Sequence, residues 1–235
     1  MTQYPINIVY RAIQGEGFLT GTPMILVRMQ GCNLSCDFCD TKETWACRVG
    51  DEVSSLELAI KTPQHYVRGN ANQVFDWVAE VRGENKIDWV LLTGGEPTLY
   101  DLESLCKVLQ QGGYSVALET NGTMPFDRKH IDWVAVSPKI LVSREFDFST
   151  LTLSDEVKFV IGSQEDLDLV YECLSVFWDQ ARLGNLSVPH IVPLKLDVVL
   201  QPLSQDPKAT DLCIKTCIER GWRLSIQTHK YLNIP

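Results

Sequence analysis

The sequence predicts an α/β protein, a partial, incomplete TIM-type barrel of about six parallel βα units. Three observations lead there. Short β-rich runs are near-continuous in apolar residues, the pattern of parallel strands buried on both faces. Helix-like stretches separate them. The 235 residues fall short of the roughly 250 that a full eight-unit barrel takes. The deficit grows because residues 40–84 carry little strand signal and read as an insertion or lid after a cysteine-rich loop. No internal repeat, low-complexity tract or interdomain linker interrupts 1–235, so the chain reads as one domain.

In chain order, the first strand is expected over Pro23–Met29 and the first long helix over Asn72–Arg82. A strand at Ile87–Leu92 leads to a helix at Leu102–Gln111, with Leu102, Leu105, Cys106 and Leu109 on one face and Gly112-Gly113 as its stop. Further strands are expected at Tyr114–Glu119, Ile131–Val136, Glu156–Ile161, Leu196–Leu200 and Trp222–Gln227, with helices at Gln164–Asp179 and Lys208–Arg220 between the later ones. Polar, Gly-rich or Pro-containing clusters follow nearly every strand: Arg28 to Cys32, Thr93 to Pro97, Glu119 to Gly122, Ser137 to Lys139, Gln201-Pro202 and Gln227 to Lys230. In α/β sheets and barrels, ligands sit at the carboxyl ends of strands. These clusters are therefore expected on one face of the protein.

Composition narrows the function. With 30 acidic and 21 basic residues the net charge is −9, which argues against nucleic acid or an anionic membrane as partner. It leaves room for a small anion met by one local Arg. The longest uninterrupted apolar runs, such as Met24–Val27, Trp89–Leu92 and Trp133–Val136, are far below the roughly 20 residues of a membrane span. The start, MTQYPINIVYR, lacks the basic and apolar regions of a secretory signal, so a cytoplasmic protein with reduced thiols is expected.

Of the eight cysteines, Cys32, Cys36, Cys39 and Cys47 lie close together. Thiolates bind soft metals and iron–sulfur clusters. Cys32-x3-Cys36-x2-Cys39 places three in one tight loop, without the second close pair of a structural zinc site. Three thiolates can hold three irons of a [4Fe-4S] cube and leave the fourth open. Cys47 as a fourth ligand would instead close the cluster or make a zinc site. Cys106, Cys173, Cys213 and Cys217 read as core residues.

The Cys-x3-Cys-x2-Cys spacing with Phe38 before the last cysteine, together with Thr93-Gly94-Gly95-Glu96-Pro97 after a strand, resembles the radical S-adenosylmethionine (SAM) enzymes. Within them the chain is similar to the 7-carboxy-7-deazaguanine synthases. The similarity is carried by Ile13-Gln14-Gly15-Glu16-Gly17, Arg28-x-Gln-Gly-Cys32, Cys39-Asp40-Thr41-x3-Trp45 and Glu119-Thr120-Asn121-Gly122. Ser137-Pro138-Lys139, Gln201-Pro202 and the terminal Gln-Thr-His-Lys segment add to it.

The resemblance implies a [4Fe-4S] cluster on Cys32, Cys36 and Cys39, SAM as cofactor, and Mg²⁺ near Thr41 or Asp40. SAM would be held by Gly94, Gly95 and Glu96, by Ser137, Pro138 and Lys139, and by Gln201, Pro202, Leu203 and Ser204. The implied substrate is 6-carboxy-5,6,7,8-tetrahydropterin of the queuosine and 7-deazapurine pathway. Arg28 would take its carboxylate, and the backbone of Ile13, Gln14 and Gly15 would read its ring edge. The Thr93 hydroxyl and the chain-terminal carboxylate of Pro235 would also touch it. A homodimer and a reducing partner such as a flavodoxin-type electron donor are implied as well. His229 is a site residue or a surface residue on this reading. Two alternatives remain open: a glycyl-radical-enzyme activase, and a non-catalytic zinc or iron–sulfur module.

Overall fold

The structure, a computed structural model, describes residues 2–140, 142, 146–186 and 196–234. In chain order its elements are β1 (Tyr4–Ile13), β2 (Pro23–Met29), α1 (Leu56–Ala59), β3 (Val67–Gly69), α2 (Ala71–Arg82), β4 (Trp89–Gly94), α3 (Glu103–Gln111) and β5 (Ser115–Thr120). Then come β6 (Trp133–Val136), α4 (Ser149–Thr152), β7 (Glu156–Ile161), α5 (Gln164–Arg182), β8 (Val198–Pro202), α6 (Pro207–Arg220), β9 (Arg223–Leu224) and α7 (Thr228–Leu232). The expected α/β class is borne out, with mostly parallel strands that do not close into a barrel.

The chain forms two compact units. The first comprises Met1–Gln14, Gly21–Thr120 and Phe126–Trp133. Its strands lie in the order β3-β1-β2-β4-β5. β2, β4 and β5 are parallel, and β1 runs antiparallel to both β2 and β3. Ile25, Val27, Val90 and Leu92 on the strands and Val74 and Val78 on α2 are wholly buried. The second unit comprises Gly15–Thr20, Asn121–Pro125 and Val134–Pro235. It carries β6-β7-β8-β9, all parallel, and buries Phe159 and Ile161 of β7 and Val170 and Phe177 of α5 completely.

Helix ends follow their local chemistry. Asn70 and Gln73 form a capping box at α2, and Ser163 and Asp166 form one at α5. α6 starts at the Asp206 cap with Pro207 behind it and ends at Gly221 in the left-handed conformation.

Three parts of the fold go beyond the sequence pattern. β1 is a strand the sequence pattern did not show, because its apolar alternation is interrupted. Its register shifts between Ile6 and Ile8, and the buried Asn7 between them donates to the carbonyls of Pro63 and His65 at 2.6 and 2.8 Å. Residues 40–84, read as an insertion or lid, include α1, β3 and α2; β3 pairs with β1, and α2 lies in the connection between the parallel neighbours β2 and β4. The last strand shrinks to Arg223–Leu224, because Ser225 and Gln227 turn their side chains into hydrogen bonds with the Gly15–Phe18 loop.

A crossover helix contributes to the core, as a surface lid does not. Val78→Ala is therefore expected to cost about 2 kcal/mol in urea unfolding. A lid helix would show almost no change.

Candidate active site

In the first unit, the loop after β2 and the loop after β4 are bonded to each other through their backbones. Gly95 N–H donates to the Met29 carbonyl at 2.9 Å, and Glu96 N–H to the Gly31 carbonyl at 2.7 Å. The approach is too close for side chains. Gly94 has φ +123°, and a Cβ there would lie 2.4 Å from Met29 N and O; one on Gly95 would lie 2.0 Å from Gly31 O. The two glycines are thus demanded first by the neighbouring strand end, before any cofactor.

The cysteine loop is closed at its stem. Gly31 N–H donates to Thr44 O at 2.7 Å and Cys32 N–H to Trp45 O at 2.9 Å. The fully buried Gln30 donates its amide to the carbonyls of Glu43 and Ala46, each at 2.8 Å. On this stem, Leu34 N–H points at Cys32 Sγ and Thr41 N–H at Cys39 Sγ, both at 3.4 Å. Burial pushes the Cys32 thiol up to about 11, and the nearby Glu96, Cys36 and Cys39 push the same way. Among the described residues, no three His, Cys, Asp or Glu side chains are already gathered at metal-holding geometry. The donor set nonetheless fits an iron–sulfur cluster. None of the three is in a disulfide, Cys36 and Cys39 lie near enough to Cys32 to act on its thiol, and peptide N–H groups already face two of the sulfurs.

Cys47 lies apart in chemistry: its Sγ is 3.7 Å from the Tyr100 hydroxyl, which donates to Gln30 O at 2.8 Å. Cys106, Cys173, Cys213 and Cys217 are buried, and burial raises each thiol, as core cysteines should behave. The Thr41 hydroxyl sits 3.6 Å from Cys39 Sγ and can supply only one of the several oxygens that Mg²⁺ takes.

Glu96 is almost completely buried, and its Oε1 accepts three hydrogen bonds: from Thr98 N–H at 3.0 Å, the Thr98 hydroxyl at 2.7 Å and the Thr120 hydroxyl at 2.6 Å. Neither threonine was singled out in the sequence as a site residue; Thr120 at least lay in a strand-end cluster. Arg28 and Thr93 are register partners on β2 and β4, so their side chains project to one face. Thr93 donates to Glu119 Oε2, and Gln14 Nε2 to Glu119 Oε1, both at 3.1 Å. Glu119, expected only as part of a strand-end cluster, thereby joins two expected site residues. The Arg28 guanidinium meets the Tyr10 hydroxyl at 3.5 Å and has no carboxylate partner among the described residues.

The backbone of Gln14 helps to close a turn. Its N–H donates to Thr22 O at 2.9 Å and its carbonyl accepts from Gly21 at 2.8 Å, closing the β1–β2 connection. Its side chain is the part directed at Glu119. Ile13 stands opposite Pro23 at the end of the same ladder.

In the second unit, Gly15 is required by His229: a Cβ on it would lie 2.2 Å from the imidazole Nδ1. Lys139 donates to the Ser137 hydroxyl at 2.8 Å, with Pro138 between them after β6. Gln201 and Pro202 are buried on β8 and Leu203 is half-buried, whereas Ser204 is exposed at φ +52°, an uncommon backbone for a non-glycine. The expected SAM-binding run is therefore not uniform. Gln201 spends its Oε1 on the Ser225 hydroxyl at 3.1 Å. Pro235 lies outside the described residues.

Parallel strands whose ends tie a three-thiol loop to a Gly-Gly-Glu loop define a radical SAM enzyme, and residues 26–177 match the profile of the Radical SAM superfamily. The chain is 39% identical, over 99% of both sequences, to 7-carboxy-7-deazaguanine synthase of Escherichia coli K12. It is 36% identical to the same enzyme of Buchnera aphidicola, over 98% of this chain and 99% of that one. The crystal structure of QueE from Escherichia coli superposes with a TM-score of 0.80 and 34% identity, covering 96% of this chain and 94% of the other. The chain belongs to the 7-carboxy-7-deazaguanine synthase family.

Thr120→Val keeps the shape but removes the 2.6 Å bond to Glu96. A stability loss of about 1–2 kcal/mol is expected in urea unfolding, with SAM affinity reduced about tenfold in calorimetry.

Proposed function

We propose that this chain is a radical SAM carbon–nitrogen lyase that turns 6-carboxy-5,6,7,8-tetrahydropterin into 7-carboxy-7-deazaguanine. Hydrogen abstraction at C6, contraction of the six-membered ring and loss of ammonia make up the reaction. The observation that carries this reading is the backbone bonding of the cysteine loop to the Gly-Gly-Glu loop, in a chain that matches named synthases end to end. Neither the activase nor the non-catalytic module is favoured, since both leave that end-to-end match unexplained.

When bound, a [4Fe-4S] cluster and SAM supply the one-electron cleavage that yields a 5′-deoxyadenosyl radical. Cys32, Cys36 and Cys39 would hold the cluster on a stem stiffened by Gln30. Glu96, oriented by Thr98 and Thr120, would face the SAM ammonium. Gly94 and Gly95 keep side chains out of its way. Ser137, Pro138, Lys139 and the Gln201–Ser204 run are read as SAM contacts by family relationship. Arg28, without a carboxylate of its own among the described residues, offers a two-pronged donor to the substrate carboxylate. Gln14, Thr93 and Glu119 form the polar row suited to the ring's hydrogen-bonding edge.

Mg²⁺ is the finer part of the proposal, with Thr41 giving one oxygen and the substrate carboxylate and water the others. A homodimer, a flavodoxin-type electron donor, a cytoplasmic location and a single functional domain complete the reading. Among the described residues no helix is long and apolar enough to cross a membrane.

Anaerobic reconstitution should give about four iron and four sulfide per chain, and mass spectrometry should show the deazapurine formed from the tetrahydropterin. Cys32→Ala should lose both the brown chromophore and turnover. One zinc per chain without iron would overturn the assignment. Arg28→Lys should raise KM for the pterin about tenfold or more while the cluster stays intact.

For magnesium, Thr41→Val should raise the Mg²⁺ concentration needed for half-maximal turnover several-fold and leave iron content unchanged. An unaltered Mg²⁺ dependence would remove Thr41 from the metal.

A further inference from the structure

The second unit holds a buried ionic clasp that the proposed chemistry does not use. Lys158 stands on β7, its side chain 6% exposed, and is ion-paired and hydrogen-bonded to Glu16 Oε2. The other oxygen of Glu16 accepts from Gln227 Nε2 at 2.7 Å, and Gln227 Oε1 accepts from Lys230 Nζ at 2.7 Å. The backbone beside Glu16 is tied down as tightly. Gly15 O accepts from Thr228 N–H at 2.9 Å and from its hydroxyl at 3.2 Å. Gly17 N–H donates to the Ser225 hydroxyl at 2.9 Å, and Phe18 N–H to Glu156 Oε2 at 2.7 Å. The Arg223 guanidinium covers the Phe18 ring at 3.5 Å.

A buried ion pair adds little net stability over an apolar pair of the same shape. Its distinctive property is direction: one ammonium fixes one carboxylate in one place. Burial alone would raise the Glu16 carboxyl, but the charge and hydrogen bond of Lys158, the Gln227 hydrogen bond and the charge at His229 hold it at about 2. Glu16 therefore remains an anion throughout the neutral range, and the clasp stays closed.

We propose that Lys158 is a positioning residue for substrate binding. Through Glu16 it fixes the Gly15–Phe18 loop and the Gln227–Lys230 segment against each other, and so sets Gly15 beside His229. This rests on the functional reading above, together with the expectation from the family resemblance that Gly15 lies at the pterin. The clasp is built from none of the cysteine or Gly-Gly-Glu residues, so its removal should spare the cluster and the cleavage of SAM.

The test uses the reconstituted holoenzyme as wild type and as two variants, Lys158→Met and the double variant Glu16→Met with Lys158→Met. The single variant strands a buried carboxylate and is expected to melt lower. The double variant removes both charges and should recover the wild-type melting temperature and iron content. If the clasp positions, the double variant should still exchange amide hydrogens of Gly15–Phe18 and Thr228–Leu232 about tenfold faster, with KM for the pterin up about tenfold and kcat changed less than about twofold. Recovery of KM together with stability would reduce Lys158 to a structural residue and overturn the proposal, as would unchanged exchange. A wild-type enzyme that failed to turn over the pterin would overturn the functional reading and the substrate role built on it. The exchange measurement would then still decide whether Lys158 anchors the two segments.

Discussion

The first unit depends on the meeting of two strand ends. Gly95 and Glu96 donate their N–H groups to Met29 and Gly31, and that contact sets where the cysteine loop starts and where the Glu96 carboxylate points. Parallel neighbours β2 and β4 bring their carboxyl ends to the same edge, as the topology of α/β folds requires. Everything else in this unit elaborates that edge. Gln30 ties the return of the cysteine loop to its own start. Thr98 and Thr120 load one oxygen of Glu96. Arg28, Thr93 and Glu119, at corresponding heights on three adjacent parallel strands, form a polar row on one face. The glycines of the Gly-Gly-Glu loop serve this junction directly, because a methyl group on either would enter the neighbouring backbone.

What was legible in the sequence is what local pattern encodes. The strands over Pro23–Met29 and Glu156–Ile161 follow from mostly apolar runs, and α6 and α5 follow from caps and periodicity. The cysteine spacing and the Gly-Gly-Glu-Pro run were legible for the same reason: each is a contiguous stretch whose residue types have few other uses. β1 was not legible. Its alternation is broken by Pro5 and Asn7, and Asn7 is buried only because the Pro63 and His65 carbonyls, far along the chain, satisfy it. α2 was visible as a helix, but its place between β2 and β4 is a fact of sheet order that no local pattern states. Glu119 and Gln227 likewise owe their roles to partners distant in sequence.

The second unit repeats this logic with charge. Lys158 pairs with Val199 and Val160 with Gln201 in the β7–β8 register, so Glu156, Lys158 and Gln201 share one side of the two strands. A Glu and a Lys two residues apart in an otherwise apolar strand are the one local sign that such a side exists. On a strand packed from both faces, charged residues at that spacing require dedicated partners. The partners are the Gly15–Phe18 loop for β7 and Ser225 for Gln201.

This arrangement explains why the Gln-Gly-Glu-Gly run looks like a ligand-binding motif without every member facing a ligand. The glycines are small because His229 and Glu156 occupy the space that side chains would need. Gln14 bonds through its backbone to Thr22 and Gly21 and through its side chain to Glu119. Glu16 is turned to Lys158 and Gln227. A stretch of sequence can thus be tightly specified because several different neighbours each constrain one of its residues. In such a motif the residue types identify the family, while the hydrogen-bond partners of each residue identify its work. For Gly15 and Glu16 those partners are the carboxy-terminal segment and β7, which makes the end of the chain and the start of the motif a single mechanical element.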